Sequence, residues 1–162
     1  MIQDEWKAIY ELYHRPLYLY ALSLMGSRQD AEDLLQETFV KAYLSYEGEG
    51  SIKAWLITVL RNAFLNLQRR RKKELLDNGE AVLEQMPAND DPLSEIIREE
   101  ERRMLFQAIQ QLPVQMKTVL MESVYFQMKD DEIAALHGLT ANNVRQIRSR
   151  AKKKLLETMK EA

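Results

Sequence analysis

Between Thr140 and Lys153 the chain crowds Thr140, Asn142, Asn143, Arg145, Gln146, Arg148, Ser149, Arg150 and Lys153 into one short segment. Amide and guanidinium groups present paired donors and acceptors that match base edges, while lysine suits phosphate oxygens. Such side chains read a groove only when a rigid element carries them, and the surrounding spacing supplies one. Asp130 to Leu155 reads as a helix-turn-helix. Ala134 is small where the two helices must cross. Gly138 ends the first helix in a left-handed conformation that costs glycine nothing. Thr140 caps the second, whose buried face is Val144, Ile147, Ala151 and Leu155. His137 breaks the pattern, standing where an apolar residue is usual. The blander alternative is a helical hairpin with a solvated basic face, but spacing and chemistry together favour DNA.

Other chemistries find little support. The 162 residues contain no cysteine, which excludes disulfides, thiolate metal sites and cysteine nucleophiles. His14 and His137 are the two imidazoles, and no glycine loop could cradle a phosphate. Asp90-Asp91 and Asp130-Asp131 are adjacent, so their side chains diverge on a helix and make poor dyads. An enzyme is therefore not expected, nor a metal, cofactor or small-molecule substrate. The formal net charge of -2 argues against coating DNA by bulk attraction and leaves local patches to make any contact. No apolar run is long enough to cross a bilayer, and Met1 to Lys7 lacks a signal core, so a soluble chain is expected.

The elements that must carry these groups are helices. Only 5 Gly and 4 Pro occur, amid abundant Leu, Ala, Glu, Lys, Arg, Gln and Met, the residues that lose little freedom in a helix. The expected fold is all-α: two small helical domains joined by a flexible acidic linker. Trp6, Ile9, Tyr10, Tyr13, Leu17, Tyr20, Ala21 and Leu24 form the first stripe, which Pro16 should kink or split and Gly26 should end. Ser27 caps a second helix with the stripe Ala31, Leu34, Leu35, Phe39 and Ala42. After a loop from Ser45 to Gly50, a third helix carries Ile52, Trp55, Leu56, Val59, Leu60, Ala63, Phe64 and Leu67 and should end in the charge run Arg69 to Lys73. Acids then crowd residues 74–101 against Arg98 alone. This shift divides the chain into 1–73, an acidic linker at 74–92, and 93–162. In the last part a long helix from Pro92 to Leu112 precedes Val114 to Tyr125 and the helix-turn-helix.

With these motifs in place, nearly the whole chain resembles bacterial RNA polymerase sigma factors of the extracytoplasmic-function group. Asp30-Ala31-Glu32-Asp33-Leu34-Leu35-Gln36-Glu37-Thr38-Phe39-Val40-Lys41-Ala42-Tyr43 looks like the segment that grips the polymerase clamp helices. The resemblance thus implies core binding by Asp33, Gln36, Glu37 and Phe39. Ser51 to Lys73 is similar to the helix that meets the minus-ten element, which implies DNA contacts by Trp55, Arg61, Asn62, Asn66, Arg69 and Arg70. Trp55 also lies in the apolar stripe, where a core role is the commoner fate. Arg69 to Lys73 can equally be a solubilising helix end. The helix-turn-helix would then hold the minus-thirty-five element through the nine residues named at the outset.

Two features depart from the group. The loop Ser45-Tyr46-Glu47-Gly48-Glu49-Gly50 is short and acidic where the family captures a flipped minus-ten base, and Thr140 to Ile147 looks more like a primary sigma factor. Thr58 and Val59 stand where primary factors carry paired tryptophans, so weaker promoter melting is expected. The resemblance further implies core RNA polymerase (clamp helices and flap) and promoter DNA as partners, an anti-sigma factor as regulator, and a cytoplasmic protein that such a regulator can tether to the membrane. The rival readings are a stand-alone dimeric regulator on a palindromic site and a helical adaptor that binds only protein.

Overall fold

Long runs free of glycine and proline favour helix, and every regular element among the described residues is one. The computed structural model describes residues 3–48, 50–78 and 100–160. The first part holds α1 (Gln3–Met25), α2 (Arg28–Ser45) and α3 (Ile52–Asn78). The second holds α4 (Glu100–Gln110), α5 (Val114–Tyr125), α6 (Asp130–His137) and α7 (Ala141–Lys160). The expected helix start at Pro92, and the expected linker from residue 79 onward, lie outside the described residues.

Two helix boundaries differ from expectation. Pro16 does not split α1, which runs through it. Proline has no N–H for the carbonyl of Leu12, but Leu12 is 67% exposed, so water can take up the bond left unmade. The charge run Arg69 to Lys73 does not end α3, which continues to Asn78. Lysine and arginine are good helix formers, and Arg71 reaches back to Asp30 of α2 at 3.2 Å. The other local signals act as expected. Ser27 accepts a hydrogen bond from the Asp30 backbone at the start of α2, and Ala31, Leu34, Leu35, Phe39 and Ala42 are all buried.

The buried surface of α1 is wider than its sequence stripe. Leu22 and Ser23 are buried together with Leu17, Tyr20, Ala21 and Leu24, although they fall beside the three-and-four repeat. The cause is a second covering layer: α1 packs on α2 and α3 with one side, and on α4 and α5 with another. Likewise Ile57 of α3, outside its stripe, is fully buried. The two halves therefore dock, and their apolar residues form one continuous core. Across it Tyr20 meets the Phe126 ring edge-on at 5.7 Å. Aromatic pairs of this geometry add about 0.5–1.5 kcal/mol beyond the area they bury.

Candidate nucleic-acid and polymerase interfaces

The helix-turn-helix forms as the spacing predicts. Gly138 follows α6 at φ +67, and the Thr140 hydroxyl accepts from the Asn143 backbone at 3.1 Å to cap α7. Ile133, Ala134, Val144, Ala151 and Leu155 are buried beneath it, while Ile147 packs partly against the same core. Burying one Ile or Val fully contributes on the order of 1.5–3 kcal/mol, so this packing holds the outer face of α7 rigid. That face exposes Asn142, Asn143, Arg145, Gln146, Ser149, Arg150 and Lys153, with Thr140 beside them. The structure thus brings together eight of the nine residues expected there. Arg148 is the exception: its guanidinium grips the Asp130 carboxylate with two nitrogens. It braces the second helix of the motif against the start of the first instead of pointing outward.

On α2, Asp33, Gln36 and Glu37 are exposed together, as their three-and-four spacing requires. Glu37 also holds Lys41 at 3.0 Å; such exposed pairs contribute ~0.3–0.5 kcal/mol and leave the carboxylate available. Phe39 is not on that surface. It is buried and packed between the rings of Trp6 and Tyr10, 5.9 and 4.9 Å away. Beside it an open aromatic groove of about 860 Å³ separates α1 from α2.

The expected minus-ten residues divide. Asn62, Asn66, Arg69 and Arg70 line the exposed side of α3. Trp55 is partly buried against the core and meets Tyr46 of the preceding loop edge-on at 5.8 Å. Arg61 turns inward, with only 11% of its side chain exposed. Its Nη2 donates to the Leu136 carbonyl at 3.0 Å, and its Nη1 lies 3.8 Å from Glu122 Oε2.

Arg61 thereby enters a polar cluster built from both halves. Glu122 of α5 is fully buried. It accepts from the Tyr20 hydroxyl at 2.9 Å, and His137 Nε2 stands 2.9 Å from both of its carboxylate oxygens. The same Nε2 is 2.9 Å from Arg61 Nη1. One nitrogen cannot donate to the carboxylate and accept from the guanidinium at once. With the proton on Nε2, His137 donates to Glu122, and Arg61 is held by Leu136 and by charge attraction. Burial, then the Glu122 charge and hydrogen bond, raise the Tyr20 pKa well above its ordinary value, with Arg61 opposing. Sequence reasoning placed Tyr20 only in the apolar stripe of α1 and did not single out Glu122. Two signals pointed to them: an acid in the apolar run Val119-Leu120-Met121-Glu122, and the off-pattern imidazole of His137.

No helix among the described residues is long and apolar enough to cross a membrane, and no group of three or more His, Asp or Glu there could hold a metal ion.

Two stretches of the chain match known family models. Residues 9–74 match the family model of Sigma-70 region 2, and residues 102–155 match that of Sigma-70, region 4. The chain is similar to the ECF RNA polymerase sigma factor SigG of Mycobacterium tuberculosis, at 32% identity over 94% of this chain and 48% of that protein. It is similar to RNA polymerase sigma factor YlaC of Bacillus subtilis, at 27% identity over 97% of this chain and 93% of that one. It spans about half to three fifths of the length of SigG and of the Bacillus subtilis ECF sigma factor SigM. Among solved structures, the sigma factor RpoE from Bartonella quintana, crystallised in complex with the anti-sigma factor NepR, matches with a TM-score of 0.78. Identity there is 27%, over 98% of both chains.

Proposed function

We propose a promoter-selecting role from one premise: the chain belongs to the sigma-70 family, in its extracytoplasmic-function group. On this reading it binds core RNA polymerase and directs promoter-specific initiation of transcription. Residues 1–73 are its polymerase and minus-ten domain, 74–92 a linker, and 93–162 its minus-thirty-five domain. The observation that carries the reading is the pairing of two surfaces on one chain. An exposed acid and amide face on α2 lies in the half that matches region 2, and an exposed amide and guanidinium face on α7 lies in the half that matches region 4.

Asp33, Gln36 and Glu37 meet the clamp helices, while Asn142, Asn143, Arg145 and Gln146 read bases in the major groove and Arg150 and Lys153 hold phosphates. Asn62, Asn66, Arg69 and Arg70 face the upstream edge of the melted region. Phe39 shapes the clamp-binding face from beneath, and Arg148 positions the recognition helix. Family members are initiation factors and not catalysts in kind. The likeness to the Bartonella quintana protein supports control by an anti-sigma factor; on this reading the chain works in the cytoplasm beside polymerase, and that regulator tethers it to the membrane.

The test adds the purified chain to sigma-free core polymerase on a promoter library and counts initiated transcripts. Sequence-selective initiation is expected, and Asp33→Lys should abolish core binding. Absence of both promoter-dependent initiation and core binding would sink the reading.

A further inference from the structure

We propose that Asp130 is a positioning residue for DNA selectivity: it holds the Arg148 guanidinium away from DNA phosphates and so keeps sequence-blind binding by α7 weak. The inference rests on the DNA-reading role of α7 given above and deepens it at one position. Arg148 stands at the edge of the exposed face of α7, three residues after Arg145 and four before Lys152, both of them exposed. Residues at that spacing share one side of a helix, yet the Arg148 side chain does not follow its neighbours outward. Its Nη1 and Nη2 donate to separate oxygens of Asp130, the second at 3.2 Å. In this forked arrangement a planar guanidinium and a carboxylate pair through two parallel bonds, the strongest form of such a contact. Only 24% of the Arg148 side chain and 23% of that of Asp130 are exposed, so water and salt screen this pair less than the exposed Glu37–Lys41 pair on α2.

A DNA phosphate could take Arg148 only by leaving the Asp130 carboxylate unpaired beside the incoming backbone, where like charges repel. Asp130 is also the first residue of α6, where the helix dipole favours a negative charge. The pair is therefore a poor source of cations for DNA. Other cations are plentiful on α7, where Arg145, Arg150, Lys152, Lys153 and Lys154 are all exposed. Each further phosphate contact strengthens binding to every sequence alike and steepens its salt dependence, with a slope of about 0.9 per contact. Discrimination comes from base edges instead. Withholding one guanidinium leaves a larger share of the binding to the amides and to Arg145, and it lowers the pull of the many competing sites that carry no promoter.

The experiment measures binding of the full chain to a fluorescent duplex without a promoter, by anisotropy, across a series of salt concentrations. Asp130→Asn removes the charge that holds Arg148 and keeps the size of the side chain. Between about 50 and 200 mM salt it should lose about 3.5-fold more affinity than the parent, the mark of one added phosphate contact, and it should bind about threefold tighter at the lower salt. Asp130→Ser, which keeps a side chain suited to a helix start, should repeat this result by a second route. Asp131→Asn changes the net charge equally at an exposed neighbour without freeing Arg148, and should show less than half of the gain. Adding Arg148→Gln to Asp130→Asn should abolish it. With core polymerase on a promoter, excess competitor duplex should suppress initiation more strongly in Asp130→Asn than in the parent. An unchanged or shallower salt dependence in the folded Asp130 variants overturns the proposal. Equal steepening in Asp131→Asn also overturns it, because net charge alone then accounts for the effect. If even the parent binds no duplex at any salt, the DNA-reading role fails, and the inference falls with it.

Discussion

Two arginines show how differently the two halves use the same chemistry. Arg145 stands exposed on α7, on a helix whose underside is locked by Val144, Ala151 and Leu155. Arg61 occupies a comparable place on α3, one turn after the buried Ile57, yet its guanidinium is enclosed with Glu122, His137 and the Leu136 carbonyl. The difference is in what covers each helix. Among the described residues nothing packs on the outer face of α7, whereas the other half of the chain docks beside α3. A basic residue on a helix is thus a potential DNA contact only where the tertiary arrangement leaves it uncovered.

The sharpest way to break this contrast is at Glu122. Glu122→Ala leaves Arg61 and His137 enclosed without their carboxylate and should cost about 3–5 kcal/mol of stability, read from urea unfolding. Arg145→Ala should leave the same transition within ~0.5 kcal/mol; similar losses for both variants would erase the distinction between buried and exposed sites. On promoter DNA the order reverses. Arg145→Ala should lose about 1–3 kcal/mol of binding and relax selection at one base position, scored on a promoter library. Unaltered promoter choice would remove Arg145 from the reading face. Thr140→Ala should cost about 1 kcal/mol of thermal stability through the lost cap of α7, and a full-strength melting transition would mean that the Asn143 backbone finds another acceptor.

The last contrast is silent near neutrality. Tyr20 keeps its proton in the folded chain at pH values where the unfolded chain, at its ordinary value of 10.0, has lost it. The folded state then binds more protons, so this contribution is complete below pH 10.0 and is lost as pH climbs toward the raised folded value. Lys117 acts the other way: burial lowers its pKa from 10.5, so its penalty is relieved as pH approaches that figure. Comparing the parent with Tyr20→Phe isolates the phenol. The variant should lose part of the alkaline decline, and identical slopes would take Tyr20 out of the account.

Local signals were legible in the sequence because local physics sets them. The cap at Ser27, the left-handed Gly138, the cap at Thr140 and the extent of Val114–Tyr125 all follow from side chains acting on their own backbone. The exposed faces of α2 and α7 were legible for a related reason, since helical periodicity assigns three- and four-residue neighbours to one side. Pro16 and the run Arg69 to Lys73 misled for the opposite reason. Each is a local stop signal, and each was overruled by its surroundings: Leu12 is open to solvent, and Asp30 pairs with Arg71.

For the helix-turn-helix, then, the sequence by itself determined the turn, the buried underside and the set of exposed amide and guanidinium side chains, because each depends on spacing within some two dozen residues. It also determined that the chain divides into halves matching two regions of one family. Only the tertiary structure decided that Arg148 pairs with Asp130, that Phe39 lies beneath its surface, and that Arg61 is held by a carboxylate 61 residues away in sequence. Those outcomes depend on which surfaces meet. A buried charge is tolerated only where distant parts of the chain bring it partners, and no periodicity in one helix records who those partners are.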